Sequence, residues 1–310
     1  MEVNKLVKSY HIDSGKAGPK FLLTAGVHGD EYEPILTAID LISSLPGCLV
    51  NGSVTIVPVS NESAYDNGSR FGEDGLDLAR ICPGSSNGTI TEIAASHISA
   101  LVKEADYFID MHTGGLSYEI YPLAGYMLHP SPEVLKKQQE MAIAFNLPLV
   151  WGTDSRPEGR TLSVARDAEV PAIYVEYGGG TGTRSNVVQA YKSGVMNVLR
   201  YLNMLKDPII QIECDKYWIE DYRQDSGYLQ GKMPSPVDGI FVANVKIGDM
   251  IKAGEVFGKV IESISGKQVD LYADIDGLVF LLRTIVKVKP GDALGGIMQI
   301  GSLNEKVIYE

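Results

Sequence analysis

The chain has 310 residues, 45% hydrophobic and 21% charged, the composition of a folded globular protein with room for one large core or two smaller ones. Its 27 Lys plus Arg against 39 Asp plus Glu give a net charge of -12, which argues against nucleic acid, whose phosphates need clustered basic surface, and against anionic membranes. An anionic small substrate stays open, because one or two arginines inside a pocket outweigh a distant, salt-screened surface charge. Cys48, Cys82 and Cys214 are odd in number and form no C-x-x-C pair, so core thiols are expected rather than a disulfide framework or a cysteine zinc site. The opening MEVNKLVKSYHIDSGK is too polar for a signal peptide, and no stretch approaches the roughly 18 apolar residues of a membrane span. A soluble cytoplasmic protein is expected.

In chain order, FLLTAG (21–26), SVTIVPVS (53–60), YFIDMH (107–112) and AIYVEYG (172–178) read as strands. They are too continuously apolar to be exposed on one side, so they suit a sheet covered on both faces. Between and after them PILTAIDLISSL, EIAASHISALVKE, SPEVLKKQQEMAIAF and NVVQAYKSGVMNVLRYLNML carry apolar residues at three- and four-residue steps and read as helices. The expected fold class is α/β, a mixed, mostly parallel sheet sandwiched by helices. After Lys206 the texture turns to short strands, glycines and turns, which places a boundary near Asp207 and Pro208 and gives domains 1–207 and 208–310. Within the tail, SPVDGIFVANVKIGDMIKAGEVFGKV (235–260) is echoed by ADIDGLVFLLRTIVKVKPGDALGGI (273–297). Two related β units of this size resemble a duplicated biotinyl or lipoyl hammerhead. There is no M-K-M at a hairpin tip, and Gly266 and Lys267 read as a solvated turn. The tail is expected to be structural or to serve assembly.

The five histidines stand at positions 11, 28, 97, 112 and 129. His28 lies just past FLLTAG, with Glu31 three residues on where a helix is about to begin, and His112 ends YFIDMH. Ligands of open α/β sheets gather beyond the carboxyl ends of the strands, so both segments deliver polar groups to the same rim. Two imidazoles and a carboxylate are the ligand set of hydrolytic zinc sites, which leave a fourth position for water. Other divalent metals share the preference for nitrogen and oxygen donors. Asp110, two residues before His112 on the same side of the strand, could orient a ligand imidazole. Glu176, ending AIYVEYGGG at another strand edge, is the candidate general base. His97 and His129 suit a helix surface and a loop, and His11 has no partner in view.

With these residues assembled, the chain resembles the succinylglutamate desuccinylase and aspartoacylase family, relatives of the zinc carboxypeptidases. TAGVHGDEYEP is similar to its G-x-H-G-x-E segment, FIDMHTG to the segment of the third ligand, and VEYGGG to the strand of the catalytic glutamate. The resemblance implies one Zn²⁺ per chain held by His28, Glu31 and His112, with Glu176 catalytic. VSNESAYDNGSRFGEDGLDLARICPG is similar to the family's N-P-x-A...R...D-L-N-R-x-F-P-G run, which implies Arg70 as carbonyl polariser and Arg80 as binder of the substrate carboxylate. Ala79 stands where the family has asparagine, and N-E-S-A replaces N-P-x-A. The expected activity is zinc-dependent deacylation of a small N-acyl amino acid or related amide. The rivals are a carboxypeptidase acting on peptides and an inactive binding or assembly protein of the same fold. The expected partner is a small N-acyl molecule, with no nucleic acid and no membrane, and self-association into a homo-oligomer stays open.

Overall fold

The computed structural model describes residues 7–210, 215–229, 232–303 and 305–310. The first part runs β1 (Tyr10–Asp13), β2 (Lys20–Thr24), α1 (Tyr32–Ser44), β3 (Ser53–Val57), α2 (Glu62–Asp66), α3 (Leu78–Ile81), α4 (Ile90–Glu104), β4 (Tyr107–His112) and β5 (Tyr118–Met127). There follow α5 (Pro132–Phe145), β6 (Leu149–Thr153), α6 (Thr161–Asp167), β7 (Ala172–Gly178) and α7 (Ser185–Tyr201). The tail holds strands alone among the described residues: β8 (Tyr217–Asp221), β9 (Gly239–Ala243), β10 (Met250–Ile251), β11 (Val256–Ile261), β12 (Gln268–Tyr272), β13 (Gly277–Arg283), β14 (Lys287–Val288), β15 (Gly295–Met298) and β16 (Lys306–Tyr309). No helix among them is long and apolar enough to cross a membrane.

The main sheet has the order β1-β3-β2-β4-β7-β5-β6-β8-β16. Pairs β3-β2, β2-β4, β4-β7, β5-β6, β6-β8 and β8-β16 are parallel, whereas β5 runs antiparallel to β7. The sheet is therefore mixed. Alternation along the strands sorts side chains to two faces. Leu23, Ile109, Met111, Ile173 and Val175 pack under α1, α5 and α7, while Leu22, Phe108 and Ala172 on the other face pack under α4 and α6. Burial of each large side chain of this kind contributes roughly 1.5–3 kcal/mol. Helix α4 shows why such a segment folds locally: Glu92 accepts the Thr89 backbone N–H at 2.7 Å as a capping box, and Ala94, Ala95, Ile98 and Val102 form one buried stripe.

The two repeats of the tail interlock. β9 and β13 each follow an Asp-Gly pair, and each hydrogen-bonds the last strand of its own repeat, β11 or β15. Each also pairs with the short strand of the other repeat, β9 with β14 and β13 with β10. Both Gly-Asp turns close with the same bond, Lys246 N–H to Asp249 at 2.8 Å and Lys289 N–H to Asp292 at 2.9 Å. The chain past residue 207 is also woven into the main sheet: β8 and β16 lengthen it at one end, and β13 pairs with β5 through Leu281 opposite Ile120 and Arg283 opposite Tyr118.

One thiol differs from the expectation of core cysteines. Cys82 is buried, and burial pushes its pKa up to about 12, but Cys48 is exposed because it lies in the turn that follows α1. Cys214 lies outside the described residues.

Candidate metal centre and substrate cleft

Three adjacent parallel strands deliver the site. β2 and β4 are neighbours, so the chain leaving Thr24 turns over the carboxyl end of β4, and β7 lies beyond it with Glu176 in register with His112. The segment after β2 passes so close to α2 that a Cβ on Gly29 would sit 1.9 Å from the Ala64 carbonyl oxygen. Only glycine fits there, and the close passage turns His28 and Glu31 inward. Glu31 occupies the cap position of α1, where the helix N-terminus favours a carboxylate.

His28, Glu31 and His112 each present one donor atom, and these atoms lie within 4.8 Å of one another although the glutamate and the second histidine are 81 residues apart. All three are buried. Nδ1 of His28 is 2.6 Å from one Glu31 oxygen, and Nδ1 of His112 is 3.1 Å from the other. The opposite nitrogens face carboxylates in turn: His112 Nε2 lies 3.0 Å from Asp110, and His28 Nε2 lies 3.2 Å from Asp77. Asp110 is itself fixed by hydroxyls of Thr24 at 2.6 Å and Thr161 at 2.5 Å. Each ring is thus held by a carboxylate with Nδ1 turned toward Glu31, the arrangement that orients imidazole ligands.

The donors are electrostatically interdependent. Burial pushes the Glu31 carboxyl up, but the two imidazoles outweigh it and bring it down to about 2. Burial works against charge on His112, yet Asp110 and Glu31 pull that ring well above the ordinary imidazole range. Nearby carboxylates favour positive charge at this place. A divalent cation among the three donors would supply that charge, and the all-nitrogen-and-oxygen donor set suits zinc or a related ion.

Glu176 borders the donors. Loss of water around its carboxyl, reinforced by Glu31 and Asp110, outweighs His112 and Arg70 and carries its pKa to about 8. Its Oε2 is shut off from solvent and has no hydrogen-bond partner. Arg70 lines the same cleft, its Nε and Nη2 at 2.9 and 2.8 Å from Asp77. Asp77 therefore ties Arg70 to His28, and it also caps α3 through the Ala79 N–H at 2.9 Å. Arg80 lines the cleft as well, exposed, with Nη1 donating to the Ala79 carbonyl at 2.8 Å. The structure thus gathers His28, Glu31, His112, Glu176, Arg70 and Arg80 around one cleft of about 990 Å³, measured out to its open mouth, with Asp110 buried behind His112.

Asp77 and Arg160 escaped the sequence reading. Asp77 lay inside the run compared for its arginines, and nothing local marks it as a histidine partner. Arg160 belongs to no segment compared, and only folding brings it to the cleft wall. His97 sits half-buried on α4, and His11 shares a hydrogen bond with Thr55 at 3.2 Å on the sheet edge. His129 is a buried loop residue held by the Arg166 carbonyl and the Ser131 N–H.

Residues 17–202 match the pattern of the succinylglutamate desuccinylase/aspartoacylase catalytic domain. The chain is 30% identical over 290 residues to the N-alpha-acetyl-L-2,4-diaminobutyric acid deacetylase of Halomonas elongata, covering 91% of this chain and 83% of that one. Among solved structures it resembles the product-bound ectoine utilization protein EutE of Ruegeria pomeroyi, with a TM-score of 0.85 and 26% identity over 93% of this chain and 87% of that one. A succinylglutamate desuccinylase from a Silicibacter species shares the fold with a TM-score of 0.86 at 24% identity, covering 95% of this chain and 89% of that one.

Proposed function

The chain belongs to the succinylglutamate desuccinylase/aspartoacylase family, and from that premise we propose that it is a zinc-dependent deacylase that hydrolyses a small N-acyl amino acid or related N-acyl amine. The observation that carries the reading is the convergence of His28, Glu31 and His112 beside a glutamate with an unpartnered oxygen. When bound by those three residues, a zinc ion supplies a Lewis acid that makes water a nucleophile at neutral pH and draws on a carbonyl oxygen. With a divalent cation held beside it, the Glu176 carboxyl would be ionised and would take the proton of the attacking water, then return it to the leaving nitrogen. Arg70, held in place by Asp77, stabilises negative charge growing on the former carbonyl oxygen. Arg80 meets a substrate carboxylate at the mouth. Asp77 and Asp110 hold the ligand rings in one orientation.

Ala79 puts a methyl group where the family carries an amide, so carboxylate recognition falls on arginine alone. The peptidase reading is disfavoured by the tail, because Gly227, Leu229 and Leu281 form part of the cleft lining and narrow it toward small molecules. Residues 235–297 we read as a duplicated hammerhead whose strand β13 completes this wall. Working in the cytoplasm suits a small acylated metabolite as substrate. The test is a panel of N-acyl amino acids presented to chelated and to zinc-reconstituted protein. Hydrolysis that vanishes with chelation and returns with zinc supports the proposal, and hydrolysis indifferent to both defeats it.

A further inference from the structure

We propose that the part of the cleft beyond Glu176 is a specificity chamber for a short apolar chain, carried by either half of the substrate, in which Trp151 offers one buried hydrogen-bond donor. The inference rests on the deacylase reading of the same cleft.

The chamber follows from strand register. On β5, Leu123, Gly125 and Met127 share one face. Leu123 lies opposite Glu176, and Gly125 lies between Tyr174 of β7 and Trp151 of β6. A Cβ on Gly125 would meet Tyr174 ring atoms at 2.1 and 2.3 Å and its hydroxyl oxygen at 2.5 Å, so the tyrosine side chain lies across β5 where any larger residue would block it. Leu162, Leu229 and Leu281 close the lining from α6, from the segment after β8 and from β13. The floor and walls next to the general base include Leu123, Met127, Trp151, Leu162, Leu229 and Leu281, while Arg160, just before α6, lines the same cleft. Water gains little in such a space, and an apolar chain that displaces it is favoured by roughly 25 cal/mol per Å² buried. A carboxylate packed against those leucines and the indole would lose much of its hydration.

Trp151 adds one polar point. Its ring is fixed edge-on against Phe280 at 5.5 Å and 76°, and its indole N–H is buried with no partner. An unpaired buried donor is costly, and an acceptor on the bound chain would relieve that cost.

Two substrate series on zinc-loaded protein separate the sources of the chain. One varies the amino acid at constant acetyl from glycine through alanine to norleucine and aspartate. The other varies the acyl group on glycine from acetyl through butyryl to hexanoyl and succinyl. The expected result is a rise in kcat/KM of about 10–100-fold along the apolar members of one series, with the aspartate or succinyl member of that series lowest. Leu229→Asp, in a half-buried segment, should erase most of that rise. Trp151→Phe should discriminate against N-acetyl-O-methylhomoserine relative to N-acetylnorleucine, a methylene-to-oxygen exchange that the native indole tolerates. A flat response in both series, or preference for the charged members, overturns the chamber. If no member is hydrolysed, the deacylase reading fails instead, and the chamber is then judged by fluorescence of metal-free protein. The chain has two tryptophans, so norleucine or hexanoate should change the emission of the native protein, a response that Trp151→Phe abolishes while Trp218 still emits, and no change in the native protein rejects the proposal.

Discussion

The two ends of the cleft stand on the same sheet face and are built by opposite means. At the metal end, polar side chains come from strand ends and loops, and the ligand rings are locked by further polar contacts: Asp110 by two threonines, His112 by Asp110, His28 by Asp77. At the far end the lining comes from strand interiors and from the tail, and its shape is set by packing and by the missing side chain of Gly125. The first end can fail through a single lost charge. The second fails by losing shape, which changes what is accepted before it changes whether reaction occurs.

The largest effect should come from the polar end. Glu176→Gln removes the proton acceptor while leaving the three donors, so kcat should fall by roughly 10²–10⁴-fold with zinc content by elemental analysis unchanged; full turnover would remove Glu176 from the base role. Asp110→Asn should next weaken zinc affinity by about 10–100-fold, read by competition with a chelator, and an unaltered affinity would mean that the carboxylate is not orienting His112. At the apolar end, Gly125→Ala should push Tyr174 off β5 and cost roughly 1–3 kcal/mol of stability, seen as a lower urea midpoint, with zinc affinity preserved. If it lost zinc as well, the two ends would not be separable.

The smallest effect should lie outside both ends. Asp74 accepts the Thr91 N–H at 3.0 Å and hydroxyl at 2.7 Å at the start of α4, and Asp74→Ala should cost about 1 kcal/mol without touching either end. Burial raises the Asp74 pKa, but the bonds from Thr89 and Thr91 outweigh it and bring it down to about 2. Because the folded value is depressed, its contribution is present above the unfolded carboxyl value near 4 and disappears as pH falls toward about 2. Native and variant stabilities should converge over that window, and a constant gap would contradict the assignment.

How much of this was legible in the sequence follows the same division. The long helices announce themselves through three- and four-residue apolar steps, so the segments starting at Pro34, Glu92, Ser131 and Asn186 lie on α1, α4, α5 and α7. His28, Glu31 and His112 could be read because each directly follows or ends a strongly apolar strand. β5 and β6 gave no such signal: YEIYPLAGYM contains Pro122 and Gly125, which interrupt an apolar run, and LVWGT is too short for a period. The chamber is made mostly from those strands and from the tail, so its residues become neighbours only through register. Asp77 was hidden for a related reason, since its partner His28 is 49 residues away.

Anomalous diffraction at the zinc edge from crystals of the zinc-loaded chain tests the central claim most directly. A single strong peak bonded to Nδ1 of His28, Nδ1 of His112 and the Glu31 carboxylate is the predicted result. A loaded crystal with the zinc peak elsewhere, or with none between those residues, would contradict it.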